Sequence, residues 1–536
     1  MLRLQERHIR EDVVARVVAR HAAEAASPGG RPLAEVINEF VYHERERLRR
    51  EEDGSGTSPD SAFLAAVRRD LPRAGRAREI DLLTRIVGRY ADEIGGHFNP
   101  LVYGVATRAL PLALSALFNG LSPARLLLHP ESAFRLSDQV ALQGDREWLC
   151  RLARRGTLVF APTHTSNLDP VIMGYALYRM GLPPVAYAAA LNLFTNPIIG
   201  FFMRNVGAYA VDRKKTDPLY LEALQAHSTL LLEHGRHSLF FPGGRRSRSN
   251  RIETVLQPGL LGTTLAAALD NLAAGRSVGV YVVPCTISYP LVLEAATLID
   301  DHFKAAGKAR YIIEDDEFSQ VRRWLDFITG LAAIDQQVTV TLGRPLDPFG
   351  NDVDLDGGSL DPRGRPVDPR RYVLVDRDVR PDRERDAQYT KDLAGRVTAS
   401  FLADSVVFPT HVLARACFTV LRRSFPQPDL YRLLRFLTPD STLSWDEVEL
   451  EAVSLLDRLG KLAADRRIRL APATRHGSRE VLSRALASFG TYHARPVLER
   501  SGHRLVIGDS GLLVYYSNRL HGYGLPGDID PGEASA

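Results

Sequence analysis

Four short runs in this chain are apolar and β-rich: residues 156–164 (GTLVFAPTH), 237–244 (HSLFFPGG), 277–290 (SVGVYVVPCTISYP) and 337–346 (QVTVTLGRPL). A strand with one wet face alternates between apolar and polar residues, whereas a strand without alternation is covered on both faces. Helical stretches separate these runs, so the pattern predicts an α/β domain of about 200 residues, a sheet buried between helices. Before residue 140 the texture is helical. Val13, Val14, Val17 and Val18 share a face in EDVVARVVARHA, with Arg16 and Arg20 off it. DGSGTSPDSA (53–62) breaks those helices. Residues 349–386, rich in Asp, Gly, Pro and Arg, read as a long loop, and 387–498 return to helical periods. The stretch from Gly490 to Gly524 mixes short strands and turns. The expected division is therefore 1–139 helical, 140–348 α/β, 349–386 loop or linker, 387–525 mainly helical and 526–536 a disordered tail. No internal repeat is visible.

A chain of 536 residues exceeds one ordinary core, which fits this division. The formal charge of +4 is small for the length, so any anion binding must come from local clusters. Three scattered cysteines, Cys150, Cys285 and Cys417, exclude a disulfide framework and suit a reducing compartment. The start, MLRLQERHIRED, carries charge throughout and has no apolar signal segment. Residues 101–121 (LVYGVATRALPLALSALFNGL) are the best spanning candidate, but Arg108 and Pro111 interrupt them. Their uninterrupted part falls short of the roughly 20 residues a spanning helix needs. The expected behaviour is contact with a membrane surface, not a crossing.

The stretch APTHTSNLDP (161–170) ends a buried run and places His164 and Asp169 across a polar turn. Pro170 suits the first turn of a helix, so Asp169 could simply cap it and His164 be a satisfied turn residue. Alternatively, Asp169 holds one ring nitrogen of His164, leaving the other to take a proton from a substrate hydroxyl. No Ser or Cys nucleophile in an elbow motif accompanies them, which favours direct attack by the hydroxyl. The amides of the turn after His164 are then candidates to stabilise a developing oxyanion.

A second cluster, FFPGGRRSRSNR (240–251), puts Arg245, Arg246, Arg248 and Arg251 after a Pro-Gly-Gly turn. Planar guanidiniums on such a turn make a bidentate phosphate receptor. No aromatics are interleaved to stack on bases, so nucleic acid is not the expected partner. A third stretch, NVGAYAVDRKK (205–215), runs from a β-rich segment into Arg213, Lys214 and Lys215. In open α/β sheets, turns of this kind gather outside one edge, where ligands bind.

These residues carry a resemblance. HTSNLD resembles the HxxxxD signature of the glycerophosphate acyltransferase superfamily. GAYAVDR resembles its second block, FPGGRRSRS its third (usually F-P-E-G-x-R-S-R) and VPCTISY its fourth. QGDREWLCRLARRGTLVFAPTH resembles the lead-in to the first block and LGRPLDP the closing strand, so the resemblance covers about 140–348. VVFPTHVLARACF (406–418) and LLVYYSNRLHGYG (512–524) are similar to C-terminal segments of the bacterial glycerol-3-phosphate acyltransferase branch.

The resemblance implies a mostly buried mixed sheet flanked by helices, with helical regions before and after it. It implies acyl transfer from acyl-CoA or acyl-carrier protein to a hydroxyl of glycerol 3-phosphate, giving lysophosphatidate, without a cofactor or metal. His164 would be the base and Asp169 its partner. Arg213, Arg246 and Ser247, with Arg248 nearby, would hold the phosphate, and Pro284 would shape the acyl-donor side. The implied place is the cytoplasm, at the inner face of the cell membrane.

Two departures stand out. Gly243 occupies the position where the third block usually has glutamate, and Arg245 the position of a small residue. The second block ends in Asp212-Arg213, commoner in enzymes that acylate lysophosphatidate, which remains the alternative acceptor beside other lipid alcohols. A catalytically decayed membrane-binding protein is the non-enzyme alternative. His164, Asp169, Arg246 and Ser247 standing together argue against it.

Other signals carry less. DVDLDGGSLDPR, from Asp352, matches half an EF-hand loop, but its twelfth residue is Arg363 rather than glutamate. GGRRSRS lacks the Lys-Ser/Thr ending of a phosphate-binding P-loop. His43 has Glu39 and Glu46 at helical spacing but no second copy of the pattern, and His8 and His97 lie in equally charged stretches. His411 and His521 are expected to pack.

Overall fold

In the computed structural model, seven strands form one sheet: β1 (Val140–Gln143), β2 (Gly156–Pro162), β3 (Ala186–Ala190), β4 (Ala208–Val211), β5 (Ser238–Leu239), β6 (Gly279–Ser288) and β7 (Val338–Leu342). The structure describes residues 2–51, 59–96, 98–105, 107–108, 139–194, 197–306, 337–375, 378–425, 433, 441–490, 493 and 495–526. The strand order is β1-β7-β6-β2-β5-β3-β4. The five strands from β6 to β4 run parallel, while β7 pairs antiparallel with β6 and carries β1 with it. The fold is therefore α/β, with a mixed, mostly parallel sheet. The central pair β2–β6 explains the missing alternation, since both strands are buried along almost their whole length.

Helices α1 (Leu2–Glu24), α2 (Leu33–Glu51), α3 (Pro59–Asp70) and α4 (Arg76–Ile94) precede the sheet. Among the described residues six helices flank it: α5 (Arg146–Arg155), α6 (Asp169–Arg179), α7 (Pro197–Asn205), α8 (Pro218–Glu233), α9 (Pro258–Ala273) and α10 (Ala295–Ala306). Five of the described helices follow: α11 (Arg383–Asp404), α12 (Pro409–Ser424), α13 (Trp445–Ala464), α14 (Ser478–Phe489) and α15 (Ser510–Ser517). Side-chain caps open several of these helices. Asp145 accepts from the Trp148 amide at the start of α5, and Asp382 accepts from Arg385 at the start of α11.

The apolar interior has two large parts. Helices α1 and α4 pack on α8, α2 packs on α4 and α3 on α2, and all share one core that includes Val13, Ile37, Phe40, Val67, Leu83, Leu219 and Ala223. The sheet and the last helices share a single core, running from Val283 and Ile287 through Val412 and Leu413 to Leu512 and Tyr515. The C-terminal helices thus back the sheet directly.

Two expectations are revised, and one strand carries no signal in the sequence. Residues 349–386, read as loop, carry a three-stranded antiparallel ribbon (Asp352–Val353, Ser359–Leu360, Pro366–Val367) and a hairpin of Leu374–Val375 with Asp378–Val379. Aspartates hold its turns. Asp354 Oδ1 accepts from the amides of Asp356 and Gly358, and Asp361 Oδ1 from those of Arg363 and Arg365. The segment LLVYYS, expected to join strands and turns, is helix α15, and its residues from Leu512 to Ser517 are all buried. A helix apolar all round lacks the periodicity that would reveal it. β3 has the sequence AYAAA, which carries no strand signal of its own.

Of residues 101–121, those beyond Arg108 lie outside the described residues, as do His97 and the tail beyond Pro526. Among the described residues no helix is long and apolar enough to cross a membrane.

Candidate active site

The five parallel strands end on one side of the sheet, and the sequence clusters gather there. His164 follows β2, Arg213 follows β4, the arginine loop follows β5 and Tyr289 follows β6. The turn after β2 is tied to the neighbouring strand. The Thr163 amide donates to the Cys285 carbonyl (2.9 Å), and Thr163 Oγ1 accepts from the Ile287 amide (3.0 Å).

Asp169 is the first residue of α6 and is fully buried. Its Oδ2 accepts from His164 Nδ1 (2.8 Å) and from the amides of Thr165 (2.6 Å) and Ser166 (2.8 Å). Its Oδ1 accepts from the Tyr289 hydroxyl. The helix-cap reading of Asp169 therefore gives way: the N-cap position is Leu168, and Asp169 binds the turn before the helix. With the carboxylate as acceptor, the ring proton sits on Nδ1. No hydrogen bond to Nε2 is found among the described residues. The imidazole stacks on Phe241 (4.1 Å between ring centres, 23° between planes), and its side chain is 13% exposed. Burial holds the His164 pKa below its ordinary value of 6.5. Asp169 works in the opposite sense, and Arg246 and Arg213 add to the lowering. The ring is thus neutral at physiological pH, with an unbonded nitrogen.

The turn amides are not available for an oxyanion, contrary to expectation. Those of Thr165 and Ser166 are engaged by Asp169 and that of Asn167 by Glu294 Oε1 (2.8 Å). The Leu168 amide donates to Ser166 Oγ (3.1 Å). His164's own amide donates to Glu253 Oε1 (3.0 Å).

The arginine loop is fastened to this turn. The Ser247 amide donates to the His164 carbonyl (2.8 Å), and its hydroxyl donates to the Arg251 carbonyl (2.8 Å). Arg246 is 31% exposed and lies 3.6 Å from Glu294 Oε1, while the other Glu294 oxygen accepts from Ser166 Oγ (2.8 Å). Arg248 is half-buried, and Arg245 and Arg213 are exposed. Lys215, grouped with Arg213 in the sequence, turns inward instead. It is buried, pairs with Glu93 and lies over the Tyr90 and Tyr220 rings (4.9 and 5.6 Å). Pro284 is buried inside β6, level with Ala161 of β2. His411 packs as expected, its Nδ1 accepting from the Phe408 amide (3.2 Å), and burial lowers its pKa to about 3.

Several residues at the site were not singled out from sequence. Glu253 is the only acidic residue between Phe240 and Leu269, and Glu294 the only one between Asn271 and Ile299. An isolated carboxylate in a long apolar or basic stretch is itself a signal. Arg519 is buried behind the turn, with Nη2 3.3 Å from the Ile287 carbonyl and 3.4 Å from Ser288 Oγ. It lies inside LLVYYSNRLHGYG (512–524), a stretch whose resemblance implies no role for it.

A buried imidazole–carboxylate pair at the carboxyl edge of a parallel sheet, beside an arginine loop, is an arrangement suited to acyl transfer. Residues 148–288 match the acyltransferase family. The chain is also distantly homologous to bacterial glycerol-3-phosphate acyltransferases. It is 28% identical over 357 residues to the glycerol-3-phosphate acyltransferase of Pseudomonas paraeruginosa (strain DSM 24068 / PA7), covering 65% of this chain and 36% of that protein. With the enzyme of the same name from Pseudomonas syringae pv. syringae (strain B728a) it shares 29% over 285 residues, 52% of this chain and 30% of the relative. With that from Pseudomonas fluorescens (strain Pf0-1) it shares 30% over 206 residues, 37% and 22% of the two chains. The chain thus spans about a third or less of the length of these relatives.

Proposed function

We propose that this protein transfers a fatty acyl group from a thioester donor, acyl-CoA or acyl-carrier protein, to a hydroxyl of glycerol 3-phosphate, giving lysophosphatidate. The observation that carries the reading is the His164–Asp169 pair, with its outer nitrogen unbonded and its turn fastened to the arginine loop. Arg213, Arg246 and Arg248 hold the acceptor's phosphate. Ser247 joins them by exchanging the Arg251 carbonyl for a phosphate oxygen. So held, the acceptor's hydroxyl faces His164 Nε2. His164 takes the hydroxyl proton as the oxygen attacks the thioester carbonyl. The tetrahedral intermediate collapses with loss of the thiolate, and the imidazolium returns the proton to sulfur. Asp169 keeps the ring in the Nδ1–H tautomer and stabilises the imidazolium, and Tyr289 fixes Asp169. The thioester is already activated, so positioning plus one proton transfer suffices. The buried Pro284 stands on the acyl-donor side.

The protein works at the inner face of the cell membrane as a peripheral protein. Exposed apolar residues at the site's end of the sheet, Leu191 and Val255, lie among basic loops that suit an anionic surface. The test is an acyl-transfer assay with purified protein, palmitoyl-CoA and either glycerol 3-phosphate or lysophosphatidate. Faster acylation of glycerol 3-phosphate supports the reading. Transfer to lysophosphatidate alone moves the enzyme to the next acylation, and no transfer to either refutes it.

A further inference from the structure

Gly243 stands where the third block usually has glutamate, and the structure shows what fills the room. A Cβ at position 243 would lie 2.6 Å from the carboxyl carbon of Glu253 and 2.6 and 2.8 Å from its oxygens. A glutamate's carboxyl carbon lies about 2.5 Å from its own Cβ, from ordinary bond lengths and angles. Glu253 therefore places its carboxyl within reach of the position that a glutamate at 243 would occupy, and the two side chains exclude each other.

The loop is folded to achieve this. The Gln257 amide donates to the Pro242 carbonyl (2.7 Å), and the Gly244 amide to the Phe241 carbonyl (3.1 Å). Asn250 takes a left-handed backbone (φ 64°), with its buried side chain donating to the Tyr515 carbonyl (3.2 Å). The chain so turned returns under Gly243 with Glu253 facing the His164 turn. There Glu253 Oε1 accepts from the His164 amide, while Oε2 is buried without a partner among the described residues.

We propose that Glu253 is a positioning residue of the active site. It supplies from position 253 the carboxyl that position 243 lacks, and it holds the His164 backbone so that Nε2 faces the acceptor. On this account Gly243 is a vacancy made for Glu253, not a sign of decay. The inference rests on the acyl-transfer reading for its rate measurement, but its geometry can be read independently.

The test compares Glu253→Ala, Glu253→Gln and the double variant Gly243→Glu/Glu253→Ala in the full chain, each checked for folding by thermal melting. Glu253→Ala is expected to lower kcat on the order of tenfold to a hundredfold, the usual effect of a misplaced catalytic group. KM for donor and acceptor should change by less than about threefold, since neither ground-state contact is touched. Glu253→Gln, which keeps an acceptor for the His164 amide, should retain most of the rate, and the double variant should regain most of what Glu253→Ala loses. Hydrogen exchange over residues 163–166 should follow the same order: protection lost in Glu253→Ala and regained in the double variant. A folded Glu253→Ala protein with wild-type kcat would overturn the inference, as would a folded double variant as slow as Glu253→Ala. If the wild type transfers no acyl group, the functional reading fails by itself. Unchanged exchange in Glu253→Ala then overturns the role of Glu253 separately.

Discussion

One oxygen, Asp169 Oδ2, collects the His164 ring proton and two turn amides, so the same group sets the tautomer of the imidazole and the shape of the loop that carries it. Two pH effects follow. Burial lowers the His164 pKa below 6.5, so the acid limb of the kcat profile should have its midpoint below that value, with a plateau at neutral pH. Asp169→Asn removes the attraction that favours the charged ring. Its plateau should fall, and its acid limb should move to still lower pH; a limb that moves upward contradicts this electrostatic account. Glu253 works in the opposite sense. Its pKa is raised from 4.5 to about 8, chiefly by burial, with the His164 amide and Arg519 pulling it down and Asp169 pushing it up. Between those values the folded state keeps a proton that the unfolded chain has released, so stability falls as pH rises through the window. The melting temperature of Glu253→Gln should lack that part of the slope, and an identical slope in both proteins would show that Glu253 is ionised when folded. His164, Asp169 and the arginines were legible because polar residues concentrate at strand ends. Glu253 and Glu294 were not, because their partners lie far off in sequence, at His164 and Arg246.

At the scale of elements, the arginine loop and the His164 turn behave as one unit. Ser247 bonds the His164 carbonyl, and Glu294 spans from Arg246 to Ser166 and Asn167. Arg246→Lys keeps the charge but loses the planar fork. It should raise KM for glycerol phosphate about ten- to a hundredfold, as expected for losing a charge-assisted hydrogen bond, and leave that for acyl-CoA nearly unchanged. A rise in KM for acyl-CoA alone would place the loop on the donor's phosphates instead. The strands β2 and β6 could be read from sequence because burial on both faces leaves a long apolar run, and β7 because its Val and Thr residues are β-branched. The alanine-rich β3 could not, since its strand character comes from pairing with β4 and β5. Nor could α15, whose complete burial erases the helical period.

At the scale of the molecule, the C-terminal region is part of the site's foundation. Asn518 Nδ2 donates to the Ser249 carbonyl (3.0 Å), and the Tyr516 hydroxyl accepts from the Val292 amide (3.2 Å). Thr410 Oγ1 donates to the Pro290 carbonyl (2.8 Å). These contacts link segments more than a hundred residues apart, which no local pattern announces. On the peripheral-membrane reading proposed above, the exposed Leu191, Phe201 and Val255 would contact the surface, so the protein should bind anionic vesicles and leave them at high salt or in carbonate. Retention through both washes would contradict peripheral attachment. The central claim, that His164 is the base of an acyl transfer, is tested most directly by the rate of acyl transfer to glycerol 3-phosphate in His164→Ala against the wild type. Loss of a general base predicts a fall of about 10²–10⁴-fold with the melting temperature little changed. A folded His164→Ala protein that keeps more than about a tenth of the wild-type rate would contradict it.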